Sequence, residues 1–133
     1  MRVMLDTNIL VSHIFFPSAM TRRFFAALSQ GYKIVLCDYV IEELWLVTER
    51  KFPQMVYKLD EFFTSLSFEM VYTPRKTATG AFPEIRDEKD SPILATAILE
   101  DIDVLVTGDK DFLVLDVEQP KIMTMTEFIE AGY

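Results

Sequence analysis

The sequence is poor in the residues on which several common kinds of protein depend. It has one cysteine, Cys37, and one histidine, His13, among 133 residues. A lone cysteine cannot form an internal disulfide, so the chain is not a disulfide-stapled secreted scaffold. One His and one Cys also fall short of the nitrogen and sulfur sets that hold zinc. No apolar run approaches the roughly 20 residues that a membrane-spanning helix needs. The opening MRVMLD meets an acid too soon to be a secretory signal. These absences point to a reducing, cytoplasmic compartment and no membrane partner. Bases are scarce too, since 13 Lys and Arg against 21 Asp and Glu give a net charge of −8. That balance speaks against a broad basic footprint for nucleic acid. It leaves room for a carboxylate site that works through bound cations, because a divalent ion reverses the local sign.

What the chain does have is apolar bulk. Half its residues are hydrophobic, with eleven Phe and seven Met, enough for a packed core and consistent with one domain over residues 1–133. Short runs that are apolar on both faces, Val3-Met4-Leu5, Ile34-Val35-Leu36 and Val104-Leu105-Val106, fit parallel strands covered on both sides. Ile122-Met123 is a weaker fourth and Phe68 to Tyr72 a fifth. Helical patterns lie between them. One runs from Ser18 to Gln30, with Gly31 at its end. Others run from Asp38 to Lys51, from Pro53 to Leu66, and from Pro92 to Glu100 behind Ser91. A short last one spans Thr126 to Ala131, with Thr126 as its N-cap. Strand–helix alternation implies right-handed crossovers and a parallel sheet between helices. Thr73 to Lys89 is the longest expected loop.

Acids recur where such a sheet binds ligands, beyond the carboxyl ends of its strands. Asp6 ends the first strand. Asp109 follows the Val104 strand through Thr107 and Gly108, a glycine that suits a tight turn. Either acid alone reads most simply as a turn or helix cap; two at equivalent strand ends shift the balance. In the helix from Asp38, the buried arc is set by Val40, Ile41, Leu44 and Val47. Glu43 lies at its margin and Glu42 on the solvated face. An ordinary surface role for Glu43 is about as good a reading as a functional one. Asp87 and Asp90 stand before the Pro92 helix, where favourable interaction with the helix dipole would also explain an acid. If Asp6, Glu43, Asp90 and Asp109 converge, like-charge repulsion and desolvation require a cation. Oxygen-only ligands suit Mg²⁺ or Mn²⁺. His13 follows the first strand closely, and is expected to pack or face solvent rather than ligate.

The stretches "MLDTNIL", "CDYVIEEL" and "RDEKDSPILATAILEDIDVLVTGDKDFL", in this order and spacing, resemble the PIN domain, and more closely the prokaryotic PIN proteins that serve as toxins of toxin–antitoxin pairs. The likeness runs from Arg2 to about Leu115. It implies a three-layer α/β/α sandwich with a central, mainly parallel sheet. It also implies a Mg²⁺- or Mn²⁺-dependent ribonuclease that leaves a 5′-phosphate and a 3′-hydroxyl. Matched position by position, it makes Asp6, Glu43, Asp90 and Asp109 the catalytic acids. Asp6, Asp90, Asp109 and Asp111 become metal ligands. Thr7, Asn8 and Thr107 support the acids, as does Asp87 in this subgroup. Cys37 departs from the pattern, in which a serine is common before the helix.

Single-stranded or looped RNA is the substrate the resemblance implies, and an antitoxin protein the partner, placing an Arg or Lys among the carboxylates. Of the basic pairs, Arg75-Lys76 in the long loop is the best placed to touch RNA; Arg22-Arg23 and Arg50-Lys51 read better as solvated helix ends. Trp45 and Phe52 mark a helical surface that is either a homodimer face or core. Two rivals stand beside the nuclease. One is a PIN-fold binding module that cleaves nothing, which gives clustered acids no purpose. The other is aspartyl-phosphate chemistry of the receiver or phosphatase kind. That chemistry needs an acid pair and a fixed Lys, whereas Asp6 is followed by Thr-Asn.

Overall fold

The computed structural model describes residues 1–74, 91–115 and 117–132. Among them, five parallel strands form one sheet: β1 (Arg2–Leu5), β2 (Lys33–Cys37), β3 (Glu69–Val71), β4 (Val104–Val106) and β5 (Lys121–Met123). Their spatial order is β3-β2-β1-β4-β5. Helices cover both faces, as the expected α/β/α sandwich requires. All five anticipated strands are present. Val3, Met4 and Leu5 of β1, and all three residues of β4, are buried on both sides of the sheet. This is why these strands read as continuous apolar runs instead of alternating ones.

The strand order locates the site. The chain moves outward from β1 to β2 to β3, then crosses to the other side of β1 and moves outward again through β4 and β5. Helices on adjacent crossovers diverge at such a reversal, and a crevice opens beyond the carboxyl ends of the strands that flank it. Those strands are β1 and β4. Leu5 pairs with Val106 at their carboxyl ends.

Seven helices complete the described chain: α1 (Thr7–Phe15), α2 (Ala19–Leu28), α3 (Asp38–Lys51), α4 (Tyr57–Ser65), α5 (Ser91–Leu99), α6 (Lys110–Leu113) and α7 (Met125–Glu130). No helix among the described residues is long and apolar enough to cross a membrane. Ser18 caps α2 through a reciprocal bond pair with Thr21. Gly31 follows that helix with φ +117°, a backbone that favours glycine. The helix expected from Pro53 is divided: Pro53–Met55 is a 3-10 turn and α4 begins at Tyr57. The last helix starts earlier than expected. Its N-cap is Thr124 and not Thr126, because Glu127 stands three residues after Thr124 and completes a capping box with it. Trp45 and Phe52 are partly buried against the core. Phe52 stacks on Phe15 at 4.8 Å and 21°, and Trp45 lies over Phe63.

At the amino end of the sheet, remote from the crevice, Arg2 Nε and Nη2 donate to the two Glu69 oxygens at 3.2 and 2.9 Å. Arg2 also donates to the Glu100 carbonyl. This fork ties β1 to the edge strand β3.

The six-residue helix α7 is too short to persist alone. Phe128, fully buried, holds it edge-on against Phe24 of α2 at 5.4 Å. Packing should therefore outweigh the cap. Phe128→Ala is expected to cost about 3–5 kcal/mol and Thr124→Ala about 1 kcal/mol in urea unfolding. Equal losses from the two variants would mean that the cap, not the core, retains the helix.

Candidate active site

Asp6 is both a helix cap and a member of an acid group. It ends β1, where its N–H donates to the Val106 carbonyl of β4 at 3.1 Å. It also precedes α1, and its Oδ1 accepts from the Thr7 N–H at 2.6 Å. Its other oxygen, Oδ2, accepts from the Thr107 hydroxyl at 2.8 Å. Thr107 is wholly buried at the end of β4, and its hydroxyl accepts in turn from the Asp109 N–H at 3.0 Å. Asp109 then caps α6, its Oδ1 accepting from the Asp111 N–H at 2.8 Å. An unbroken chain of hydrogen bonds thus runs from Asp6 through Thr107 to Asp109 and Asp111, across the crevice between β1 and β4.

The electrostatics of that chain are unfavourable to Asp6. The residue is 3% exposed. Burial pushes its carboxyl above the usual carboxylate range, against the lowering effect of the Thr107 hydroxyl and the Thr7 N–H. The charges of Glu43 and Asp109 push it further in the same direction. Glu43 is therefore within electrostatic reach of Asp6. It is half-buried on α3, between fully buried Val40 and Leu44, while Glu42 is exposed.

Other anticipated residues fall into place less uniformly. Thr7 supports Asp6 with its backbone N–H; its hydroxyl is buried and has no partner among the described residues. Asn8 is exposed on the first turn of α1. Asp111 is half-buried. Asp87, Asp90, Arg75 and Lys76 lie outside the described residues. Gly108 does not have the left-handed backbone reserved for glycine, and a Cβ there would meet nothing within 4 Å, so the turn does not demand it. His13 stacks on Phe25 at 3.9 Å, and burial lowers its pKa, helped by nearby Arg22. It packs, as expected. Cys37, buried with its thiol pushed up by desolvation, makes no side-chain cap for α3.

Asp38 is a polar residue at this rim that sequence reasoning passed over. Its Oδ1 accepts from the Tyr39 N–H at 3.0 Å, the Thr73 N–H at 2.7 Å and the Thr73 hydroxyl at 2.6 Å. Desolvation works against its charge, yet these hydrogen bonds prevail and hold the carboxyl below the ordinary value. The pattern -CDY- before a helix reads as a first-turn acid. Nothing in it signals a partner 35 residues away.

Among the described residues, no group of three or more His, Cys, Asp and Glu side chains could hold a metal ion. The donors that are present still fit Mg²⁺ or Mn²⁺, which take one or two carboxylates and retain several waters. They are all oxygens, and burial leaves the Asp6 carboxylate in need of positive charge.

A parallel α/β/α sandwich with acids at its switch point defines a class of proteins whose chemistry sits at the carboxyl ends of the two central strands. Comparison with known proteins makes the class specific. A family model described as the PIN domain matches residues 2–111, and the chain belongs to that family. Among solved structures it is similar to VapBC2 from Rickettsia felis bound to a DNA fragment from its promoter. The TM-score there is 0.71 at 26% identity, over 92% of this chain and 97% of that one. It is similar in fold to DNA-bound VapBC from Salmonella typhimurium, with TM-score 0.69 at 19% identity over 94% and 98% of the two chains. It is also similar in fold to VapC20 of Mycobacterium tuberculosis, described as a sarcin-ricin loop cleaving toxin, with TM-score 0.62 at 14% identity over 87% and 97%. Among curated proteins, no sequence matches at the same level of significance.

The raised Asp6 pKa has a direction that can be measured. Its protonated form is the one the fold favours. That contribution to stability is complete below the ordinary carboxylate value and is lost as pH rises through the raised one. The charged form is the one that burial and the neighbouring acids oppose. Asp6→Asn should therefore raise the melting temperature of metal-free protein at neutral pH, and the gain should shrink toward about pH 4. A variant that melts lower than the parent at pH 7 would show that the charge is already compensated.

Proposed function

We propose that this PIN domain is a Mg²⁺- or Mn²⁺-dependent endoribonuclease and the toxin of a toxin–antitoxin pair. One observation carries the proposal: the desolvated Asp6 carboxylate, hydrogen-bonded through Thr107 to the Asp109 turn at the switch point of the sheet. A purely structural module gains nothing from a buried charge that its own neighbours oppose. Membership of the PIN family supports the nuclease reading, and the likeness to a sarcin-ricin loop cleaving toxin supports RNA as substrate. The likeness to VapBC complexes supports an antitoxin as partner.

In this reading Asp6 and Asp109 hold the ion, with Asp90 and Asp111 as further ligands. A bound divalent ion supplies neutralisation of the phosphodiester and acidification of a water. The protein supplies position. Thr107, locked in the sheet, fixes the Asp6 oxygen and the Asp109 backbone together. Glu43, half open to solvent, would help to hold the ion directly or through a water. Arg75 and Lys76 are assigned to the RNA backbone, and Thr7, Asn8 and Asp87 to the support of the acids.

The test is cleavage of a panel of single-stranded and hairpin RNAs with Mg²⁺, Mn²⁺ or EDTA. Cleavage should require the cation and fall at least ~100-fold in Asp6→Asn and Asp109→Asn. Thr107→Val, which keeps the acids and loses the link, should lose about 10–100-fold. Activity that survives EDTA, or survives in Asp6→Asn, would remove the acid site from the chemistry.

A further inference from the structure

The single histidine of the chain sits where three helices meet. His13, in the last turn of α1, lays its ring on Phe25 of α2 at 3.9 Å and 15°. Phe62 of α4 stands edge-on to His13 at 6.1 Å and edge-on to Phe25 at 6.3 Å. The three rings close a triangle that joins α1, α2 and α4. Nδ1 of His13 is buried and has no hydrogen-bond partner among the described residues. The neutral ring therefore carries its proton on Nε2, because an Nδ1–H would have nothing to donate to. His13 also lines a cavity of about 310 Å³ between α1 and α4, with Ile14, Lys58, Glu61, Phe62 and Ser65.

A second proton has no good place on this ring. It would go to Nδ1 and leave a charged, buried donor without an acceptor. The surrounding charges do not offset that cost. Arg22 of α2 repels it and, after burial, is what holds the His13 pKa below its ordinary 6.5. From α4, Lys58 and Glu61 face the cavity with opposite signs. The rest of α1 carries no charged residue. The face of Phe25 attracts a cation, yet stacking on it leaves Nδ1 shut away from water. We infer that His13 is an acid-sensitive latch: neutral, it closes the junction of α1, α2 and α4; protonated, it turns Nδ1 out to water and parts α4 from α1 at the cavity. Helix α4 is the element that yields. Leu59 is its one fully buried residue, whereas α2 is pinned from behind by Phe24 against buried Phe128. The stabilising contribution of the latch is complete above the ordinary histidine value and is lost as pH falls from there through the lowered one. The latch stands apart from the acid site and does not depend on the ribonuclease reading.

The experiment uses the lone histidine as its own reporter. Nitrogen NMR of the ring should show the Nε2–H form at neutral pH and a titration below 6.5. Amide exchange is then compared at matched pH between the parent and His13→Phe, which keeps a ring and cannot take up a proton. At about pH 7 the α4 amides of the two should exchange alike. Toward about pH 5 those of the parent should exchange faster, by up to about tenfold for each unit by which the measured pKa lies below 6.5. Amides of β1 and β4 should not differ. The melting temperature of the parent should fall relative to the variant over the same range. Asp6 contributes in the opposite direction and equally to both proteins, so the difference isolates His13. A titration at or above 6.5, an Nδ1–H ring, or equal α4 exchange in acid would overturn the inference. Should His13→Phe fail to fold, exchange in the parent alone decides: α4 must open ahead of β4 as His13 titrates.

Discussion

A carboxylate that the fold takes out of water, and does not neutralise, governs this molecule. Asp6 follows a strand buried on both faces, so its side chain begins life at the edge of the core. Two hydrogen bonds, from the Thr107 hydroxyl and the Thr7 N–H, offset part of the desolvation. Glu43 and Asp109 then add like charge. Folding energy alone would favour an uncharged residue here, or an arginine beside it. Arg2 is committed to Glu69 and Glu100 at the opposite end of the sheet. Perturbed carboxylates of this kind cluster at functional sites, and the proposed divalent ion would supply the charge that Asp6 lacks.

The sheet makes that feature possible. β1 and β4 pair in parallel, so their carboxyl ends emerge side by side, with Leu5 opposite Val106. Reversal of strand order at this point leaves the two ends uncovered by a common crossover helix. Thr107 does what a side chain in a rigid strand can do well: it is wholly buried, it cannot swing, and it bonds an acid on either side. The apolar bulk behind the rim keeps those positions fixed. The Phe24, Phe128 and Tyr32 cluster seats α7 against α2, and Phe15 and Phe52 close the gap between α1 and the end of α3.

Much of this was legible in the sequence because it rests on periodicity. Continuous apolar runs gave the strands, and acids placed just after two of them gave Asp6 and Asp109. The arc of α3 separated Glu43 from Glu42. The failures have physical causes too. Helix α1 is hard to read because TNILVSHIF is short, mixes polar residues among its apolar ones and is rich in β-branched residues, so its helical stripe is weak. Helix α6 has four residues, too few for a period. The last helix reads from Thr126 because that threonine stands shortly before the apolar pair Phe128-Ile129, while the Thr124–Glu127 box that wins is set by spacing. Asp38 was invisible because its partner, Thr73, is distant in the chain.

Asp6 and Asp38 show how two acids in similar places can be met differently by the fold. Both follow a strand at its carboxyl end, on neighbouring strands; Asp6 caps α1 and Asp38 is the first residue of α3. Both are penalised by desolvation. Asp38 answers the penalty with a dedicated clamp of three donors and ends below the ordinary carboxylate value. Asp6 receives only two bonds, faces two other acids, and ends above it. The same residue type in the same local context thus diverges in direction, and the divergence follows from what surrounds each one. The fold completes Asp38 from within the protein. It leaves Asp6 incomplete, and a positive charge from outside the chain is what the geometry invites.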